Sequence, residues 1–488
     1  MPVDSVHPDY AEHVADFIKA TDVYDGSRAI KSRTWFDVYG HNSDNKSMYA
    51  GSAYLPPLEK QDLFQYSSYK GRALFHNVTG RVADGLVGVM TRLPMTVSDV
   101  SPAFERYIED FKSGMTLEAT VKESILNILL YDRVGYLIDS PADGGDPEVK
   151  MYDALQIINW RYDDNDELIM VVLHQFESLA DESDPFVHVS EDVYIVLYLE
   201  NGVYRIQRYK KSDKGEIEAS GDFVEPTINN KSVDHIPFLF VNSLGLSPDI
   251  NRAKILDILE INLSHYMTSA DLEHGRHFTA LPTPVVTGVK DTQTINIGST
   301  EAIGLPEVNA KAYYLEFVGE GLRSLEIAIK EKESQMATMS ARLIDQNRKG
   351  SESSDTVRLR YAGESNMLGG IASSLQLAIN AILKELAIWL GETNTPTIAL
   401  NKDFLSDSIS PQAMGVLLEM YTGGGMDLDT YLYNLKRAEL FEPGMTTEQY
   451  KARFETYSKE FAAQQKELAV QRIEASTTPT KESNDTEK

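Results

Sequence analysis

Three histidines and two carboxylates within one short stretch are the residues best suited to binding a metal ion. They are His265, Asp271, Glu273, His274 and His277. His274 and His277 are three positions apart, which places two potential ligands on one face of a helix. The order Glu-His-x-x-His differs, however, from the His-Glu-x-x-His of zinc hydrolases, and the spacing specifies no third ligand. We therefore favour polar contacts at a surface or subunit interface, and expect no metal and no cofactor.

A polar loop, DQNRKGSESSD (345–355), contains the cations best placed to contact a phosphate backbone. Arg348 and Lys349 lie there between two predicted helices, and such cations bind nucleic acid without reading its sequence. Neighbouring residues that could add weak hydrogen bonds are Gln346, Asn347, Ser351 and Ser353. The spacing alone favours a solvated surface loop over a DNA contact.

Two further clusters are interpreted as structural. The acidic residues after Trp160 and Arg161 are Asp163, Asp164, Asp166 and Glu167. They lack the pattern of a calcium-binding loop and predict a turn between two strands. Gly423–Gly425 follows a helix and has no Gly-Lys-Ser/Thr ending, so it is not a nucleotide cradle. Nucleophile-elbow and catalytic-triad signatures are also absent, so we expect no catalytic residues and no enzyme.

The bulk composition restricts the class of protein. With 488 residues the chain should divide into two to four lobes. A net charge of −28 argues against gripping duplex DNA from outside, which requires a basic face. The chain has no cysteine and therefore no disulfide or thiolate metal site. No secretory signal is recognisable at the start of the sequence, and no uninterrupted apolar run approaches about 18 residues, so we expect no membrane partner.

The elements that position these residues follow from periodicity. Helical patterns cover 5–20, 58–93 and 101–133, and Thr116 is a good N-cap for the second of two helices expected over 101–133. Runs of β-branched and aromatic residues between 135 and 243 predict a mainly antiparallel sheet with a hairpin at Asn201-Gly202. Two helices then flank a Gly- and Pro-rich β insert over 251–345. A long helix follows, with a kink or break expected at Gly363 and Gly369-Gly370. The strand 397–401 should rejoin the earlier sheet, and helices return over 411–475. The fold class is therefore α+β.

At this point several segments match a known family in its order along the chain. They are FHNVTGRVADGLVGVMTRLP, YLIDSP, ALQIINWRYDD, LGLSPDINRAKILDILEINLSHYMTSADLEHGRHFTALPTPVVTG and SSDTVRLRYAGESNMLGGIASSLQLAINAILKELAIWLG. Together they run across most of residues 54–391 and resemble a family of tailed-phage portal proteins that is labelled only as a domain of unknown function. No single segment is a chemical motif, and the resemblance rests on their joint order.

The resemblance implies a phage portal fold with wing, helical stem, small β clip and α-helical crown, assembled as a ring of usually twelve subunits. Its parts map onto this chain by number. The expected boundaries are 1–250 for the wing, 251–278 and 319–345 for the two stem helices, 279–318 for the clip, 346–408 for the tunnel loop, kinked helix and wing return strand, 409–478 for the crown, and 479–488 for a disordered tail.

The implied function is a DNA channel at one vertex of the virion capsid, assembled in the host cytoplasm. Its implied partners are further copies of the chain, double-stranded DNA, the large terminase subunit, a head-completion adaptor or tail protein, and the major capsid protein with its scaffold. The tunnel-loop residues named above would face the DNA, which reverses the preference for a surface loop. Clip residues expected to dock a partner are Val285, Val286, Thr287, Ile295, Ile297, Tyr313 and Tyr314. The alternative is a phage-encoded metal-dependent hydrolase that uses the His265–His277 segment.

Overall fold

The computed structural model has 50% of its residues in helices and 22% in strands, a mixed α+β fold. It describes residues 2–40, 47–112, 114–139, 146–180, 186–212, 215–228, 231–280, 283–288, 309, 311–315, 320–344, 354–402, 404, 411–437 and 447–477. The chain divides into two compact units, Met1–Phe404 and Leu405–Lys488.

The secondary-structure elements are numbered in chain order. The helices are α1 Pro8–Asp25, α2 Ser27–Ser32, α3 Trp35–Tyr39, α4 Leu63–Arg72, α5 Val78–Met90, α6 Pro102–Glu109, α7 Leu117–Tyr131, α8 Leu256–Ala280, α9 Glu320–Ile344, α10 Ser354–Leu390, α11 Pro411–Thr422, α12 Leu428–Arg437 and α13 Thr447–Thr477. The strands are β1 Thr96–Ser98, β2 Val134–Asp139, β3 Glu148–Asp153, β4 Ile157–Tyr162, β5 Leu168–Ala180, β6 His188–Glu200, β7 Val203–Lys211, β8 Ile217–Ala219, β9 Thr227–Ile228, β10 Lys231–Ser232, β11 Phe238–Val241, β12 Thr283–Thr287, β13 Lys311–Leu315 and β14 Thr397–Ala399.

The strands pair antiparallel in five small sheets. The largest has the order β4-β5-β6-β7-β8, and a three-stranded sheet has the order β11-β2-β3. The predicted hairpin joins β6 to β7, where Asn201 and Gly202 have φ values of 54° and 75°. Left-handed backbone at both positions is what a tight two-residue hairpin turn requires, and Asn and Gly adopt it with little strain. The prediction of this hairpin is confirmed.

The principal core of the first unit lies where α10 and α7 pack against β2 and β11. Leu375, Ile379 and Leu386 of α10 are completely buried, as are Leu117 and Ile128 of α7. Thr116 caps α7 by accepting a hydrogen bond from the Ala119 backbone amide at 3.2 Å, which satisfies one of the free amides of the first turn. The expected capping role of Thr116 is thereby confirmed.

Three sequence-based predictions require correction. The helical pattern over 58–93 is two helices, α4 and α5, because the Asn77 side chain caps a new start by accepting from the Gly80 amide at 2.8 Å. The strand over 397–401 does not rejoin the larger sheets: β14 pairs with β1 instead. Helix α10 runs from Ser354 to Leu390 without a break at its glycines, and the kink that was the other expectation there stays a prediction.

Part of α10 is long and apolar enough to meet the criteria for a membrane-crossing helix. Within the part of the chain that the structure describes, Met367–Leu390 is the one helical stretch whose length and composition would allow it to cross a membrane. Its apolar window is 56% buried inside the fold, and core helices of water-soluble proteins have the same composition. Lys384 and Glu385 interrupt this stretch, so the sequence still has no uninterrupted apolar run of about 18 residues, and the expectation of no membrane partner stays a prediction.

An ion pair fastens α10 to the residues that precede β11. His235 Nε2 lies 2.9 Å from Glu385 Oε1, and the same carboxylate accepts from the Trp389 indole at 3.0 Å. The Glu385 hydrogen bond raises the pKa of His235 to about 9, against its own partial burial. Hydrogen bonds from His235 and Trp389 keep the pKa of Glu385 below its usual range, although burial opposes them.

We expect this pair to stabilise the fold in a defined pH window. The His235 contribution is complete below its unfolded pKa of 6.5 and is lost as the pH rises through about 9. The Glu385 contribution is complete above its unfolded pKa of 4.5 and is lost as the pH falls through its lowered folded pKa. A double-mutant cycle with His235→Gln and Glu385→Gln should give a coupling of about 1 kcal/mol at roughly pH 6, kept small by solvent screening, and much less at roughly pH 9.5. Equal coupling at both pH values would contradict this assignment.

Candidate functional site: the helix–hairpin–helix unit

Two long helices and the small β-hairpin between them form the unit that the sequence singles out. Helices α8 and α9 each contain 25 residues, and a helix of this length spans about 37 Å. Strands β12 and β13 pair antiparallel in the chain between them, with Thr283 opposite Leu315 and Thr287 opposite Lys311. The stem helices were expected over 251–278 and 319–345, and the helices in these regions run over Leu256–Ala280 and Glu320–Ile344.

The two helices run antiparallel and are joined by polar contacts along their length. Arg276 of α8 bonds Glu326 of α9 at 2.9 Å. Nearer the other end, the Lys332 ammonium donates to the Ser264 carbonyl at 3.1 Å and also to the Thr268 hydroxyl. At Gly275 the helices are so close that a Cβ would collide with the Leu322 side chain. The pair is therefore a defined hairpin of helices rather than two independent segments.

Asn262 of α8 supplies the most extensive attachment of this helix to the rest of the unit. Its Oδ1 accepts hydrogen bonds from the Val78 amide at 3.1 Å, the Thr79 amide at 3.2 Å and the Thr79 hydroxyl at 3.1 Å. Its Nδ2 donates to the His76 carbonyl at 2.9 Å. The side chain is completely buried. Asn262 thus accepts from backbone amides in the first turn of α5, although it lies 184 positions from Val78 in the sequence.

A second attachment lies two helical turns further along α8. The Tyr69 hydroxyl of α4 donates to Asp271 Oδ1 at 2.6 Å, and the Leu74 amide donates to the Ser269 hydroxyl at 3.3 Å. Burial and the neighbouring Asp271 carboxylate raise the pKa of Tyr69, so it remains a proton donor. The α8 helix is consequently fixed against α4 and α5, while β12 and β13 follow its distal end.

The hairpin carries the residues predicted to dock a partner. Thr287 and Tyr313 are exposed, Tyr313 by 52%, whereas Val285 is half-buried. Val286 and Tyr314 lie in the paired strands. Ile295 and Ile297 lie outside the described residues. A two-stranded ribbon of this kind is marginal by itself and gains stability from a neighbour.

The predicted DNA-facing loop lies outside the residues that the structure describes. It comprises Gln346, Asn347, Arg348, Lys349, Ser351 and Ser353. The chain is described up to Ile344 at the end of α9 and again from Ser354 at the start of α10. The roles of these six residues remain predictions from the sequence.

The candidate metal ligands do not converge on one point. His265 is buried and lies 3.5 Å from Glu333, whereas His274 packs against the rings of Tyr69 and Phe278. His277 also contacts Phe278. Within the described ranges there is no group of three His, Asp or Glu side chains that could hold a metal ion. The geometry therefore lends no support to the alternative of a metal-dependent hydrolase.

The acidic cluster forms the turn between two strands that the sequence predicts, and the three glycines lie at the end of a helix. Asp163 Oδ1 accepts from the amides of Asn165 and Glu167, both at 2.9 Å, which closes the turn between β4 and β5. The Gly423 amide bonds the Glu419 carbonyl at 2.8 Å, and Gly424 has a φ of 75°. These glycines end α11 rather than cradle a phosphate.

The attachments of α8 were not identified from the sequence as functional residues. Asn262 stands within the apolar face formed by Leu259, Leu263 and Tyr266. A polar residue on such a face is the one sequence signal for an attachment residue, because a buried side-chain amide requires hydrogen-bond partners. Its partners, nearly two hundred positions away, could not be deduced from spacing.

The comparisons with known proteins give a family match and a set of similar structures. The matching family model is described as Domain of unknown function (DUF4055) and covers residues 254–390, less than half of the chain. No curated protein matches the sequence.

Three of the solved structures come from phage-like gene transfer agent (GTA) particles, and each is 13% identical to this chain. "Neck of empty GTA particle computed with C6 symmetry" has a TM-score of 0.36, with 74% of this chain and 90% of that chain covered. "Virion of native gene transfer agent (GTA) particle" has a TM-score of 0.36, with 78% of this chain and 95% of that chain covered. "Neck of native GTA particle computed with C12 symmetry" has a TM-score of 0.34, with 73% of this chain and 89% of that chain covered. At these identities and TM-scores the likenesses decide neither fold nor function.

Replacing Asn262 should destabilise the first unit selectively. Asn262→Leu leaves the buried Thr79 amide and hydroxyl without the acceptor that they share, whereas the Val78 amide keeps its bond to the His76 carbonyl at 2.8 Å. Each buried unsatisfied group costs about 1–3 kcal/mol. We expect the free energy of unfolding to fall by about 3 kcal/mol or more in urea titrations. Asn394→Leu makes the same chemical change at an exposed loop position and should alter stability by less than about 0.5 kcal/mol. Equal effects of the two substitutions would refute the capping role.

Proposed function

We propose that this chain is a phage portal protein, a structural subunit that forms a ring-shaped DNA channel at one vertex of the capsid. The proposal rests on the ordered resemblance over residues 54–391 and on the geometry of the helix–hairpin–helix unit. It assigns α8 and α9 to the stem, β12 and β13 to the clip, and residues 346–355 to the tunnel loop. The second unit would contribute the crown.

The observation that carries the proposal is the exposure of α9. Among its described side chains, residues 321–340, Met336 is the only one that is buried. Ile327 is 50% exposed although it is apolar. A helix of 25 residues derives most of its stability from a packed face, and α8 and α5, which both contact α9, leave most of its described side chains exposed or half-buried. Neighbouring copies in a closed ring would supply the missing contacts for α9 and for the marginal hairpin.

The charge of the chain suits a channel for DNA. A net charge of −28 per subunit would place many carboxylates around a lumen, and these would repel the phosphate backbone so that DNA slides. Arg348 and Lys349 would be local exceptions that touch phosphates transiently and without sequence preference. Gln346, Asn347, Ser351 and Ser353 would add weak hydrogen bonds.

The proposed partners follow from this role. The exposed hairpin residues, Thr287 and Tyr313 among them, would dock the large terminase subunit during packaging and an adaptor or tail protein afterwards. The chain would be assembled with scaffold and major capsid protein in the host cytoplasm and remain in the virion. The motor that hydrolyses ATP would be the terminase, so this chain would have no enzymatic activity.

The first test is the mass and shape of the purified chain. Mass photometry should show a particle near the resemblance-based expectation of twelve times the 54.6-kDa chain mass, and negative-stain images should show a central hole. Some rings close only at high concentration, so the measurement is repeated across a concentration series. A compact monomer or dimer that binds metal stoichiometrically would overturn the proposal in favour of the hydrolase.

The second test separates DNA handling from assembly. The double variant Arg348→Glu and Lys349→Glu should form rings normally but package or retain less DNA, because like charges would then face the phosphates. Nuclease-protected DNA per particle is the measurement. The matched control reverses two exposed lysines elsewhere in the first unit, Lys384→Glu and Lys402→Glu, and should package normally. Normal packaging in the loop variant would remove the tunnel-loop assignment while leaving the ring intact.

A further inference from the structure

Residues 2–7 lie along the free edge of the largest sheet. Strand β4 is an outer strand of that sheet, and unpaired strand edges readily associate with other chains. The His7 amide donates to the Ile158 carbonyl at 2.9 Å, and the Asn159 side chain donates to the Ser5 carbonyl at 2.7 Å. The segment therefore covers the β4 edge through two hydrogen bonds.

His7 and Arg133 enclose the indole of Trp160 from both sides. The His7 ring stacks on the indole with centroids 3.9 Å apart and planes inclined by 17°. The Arg133 guanidinium carbon is also 3.9 Å from the ring centroid, a distance that only a position above the ring plane permits. Since the two groups cannot share one face at this distance, they lie on opposite faces. Trp160 itself is 5% exposed.

Arg133 is a buried cation that lacks a hydrogen-bond partner. It is completely buried, and none of its three guanidinium nitrogens has a partner among the described residues. The rings of Trp160 and Phe240, at 3.9 and 5.0 Å from its guanidinium carbon, supply cation–π contacts instead. Burial lowers the pKa of Arg133 to about 9, while the more distant Asp9 and Asp249 favour its charge. A further positive charge at this indole would be unfavourable.

His7 is held in its neutral form by its position at the start of α1. Its Nδ1 accepts a hydrogen bond from the Asp9 amide at 3.2 Å and so caps the helix. Protonation of Nδ1 would abolish this cap and place a cation at the positive end of the helix dipole. The opposing group is the Asp9 carboxylate, 3.7 Å from Nδ1. Burial outweighs it, so the pKa of His7 is lowered from 6.5.

We propose that His7 is a proton-sensitive latch, which when neutral holds residues 2–7 over the edge of β4 and when protonated releases them. Release would expose the Ile158 carbonyl and one face of Trp160. This inference is independent of the proposed function.

The direction of the pH dependence follows from linkage. The docked segment binds a proton less readily than the released segment, whose His7 has the ordinary pKa of 6.5. Docking is therefore at full strength above pH 6.5 and weakens as the pH falls below that value. Docking would instead strengthen on acidification if the attraction of the Asp9 carboxylate outweighed burial and raised the pKa of His7 above 6.5.

The experiment uses Trp160 as its own reporter. The chain has three tryptophans, so Trp35→Phe with Trp389→Phe leaves Trp160 alone. Acrylamide quenching of its fluorescence should increase at least about twofold between roughly pH 7.5 and pH 5.5 as the segment is released. Circular dichroism at both pH values verifies that the fold is retained.

Two substitutions distinguish the latch from a general effect of acid. His7→Phe keeps an aromatic ring against Trp160 but cannot be protonated, so its quenching should not change with pH. His13→Gln removes a nearby histidine of α1 that packs on Phe17, and it should behave like the parent. No change in the parent, or the same increase in the His7→Phe variant, would overturn the proposal.

Hydrogen exchange provides a second measurement in the chain with all its tryptophans. If the double tryptophan variant fails to fold, exchange is followed by mass spectrometry in a peptide spanning 2–10, with times scaled for the intrinsic rate at each pH. The His7 amide, bonded to Ile158, should lose protection on acidification in the parent and keep it in the His7→Phe variant. Equal protection at both pH values in the parent would equally overturn the latch.

Discussion

The hydrogen bonds of Asn262 are the constraint on which the arrangement of the first unit depends. One buried carboxamide of α8 satisfies both the start of α5 and the carbonyl of His76. Because Asn262 and Thr79 are buried, any shift of α8 along its axis would leave their polar groups without partners. Tyr69 and Asp271 repeat the same fixation further along the helix. Hydrogen bonds thus set the position of α8 along α4 and α5. The apolar face of α8 alone could tolerate sliding.

A comparable use of buried polar groups occurs at the first helices. Asp22 is completely buried and receives two hydrogen bonds from Arg33, at 2.8 and 2.7 Å, and one from the Tyr54 hydroxyl at 2.6 Å. Removing any one partner would leave an imperfectly compensated charge inside the fold. Buried ion pairs contribute geometric specificity more dependably than net stability. Asp22 therefore fixes how α1 meets the segment that follows α3, just as Asn262 fixes α8.

The sequence predicted the parts of the fold that depend on local patterns. The Asn201-Gly202 hairpin and the Thr116 cap were predicted because a turn type or a cap requires particular residues at particular positions. The pairing of β14 with β1 was missed, because strands of three residues nearly three hundred positions apart carry no periodic signal. The start of α5 at Asn77 was missed for a different reason. The apolar period continues through the interruption and hides the capping signal of Asn77. At the candidate site the helix pair could be predicted, but the partners of Asn262 could not.

The exposure of α9 and the charge of the chain place opposing demands on assembly. Copies that carry a net charge of −28 would repel one another, and this repulsion would grow as the proposed ring closes. Two cations on the helix pair are already engaged internally: Arg276 bonds both Glu273 and Glu326, and Lys332 donates to the Ser264 carbonyl. Arg323 and Lys330 of α9 are exposed. In the proposed ring, contacts between copies would draw on exposed apolar side chains such as Ile327 on α9 and Tyr313 on the hairpin, and the exposed cations of α9 would be available for new ion pairs. The apolar contacts would be non-directional and would strengthen with salt as the repulsion is screened. The rigid attachment of α8 is what would allow weak contacts to add up, because every copy would present the same surface in the same orientation.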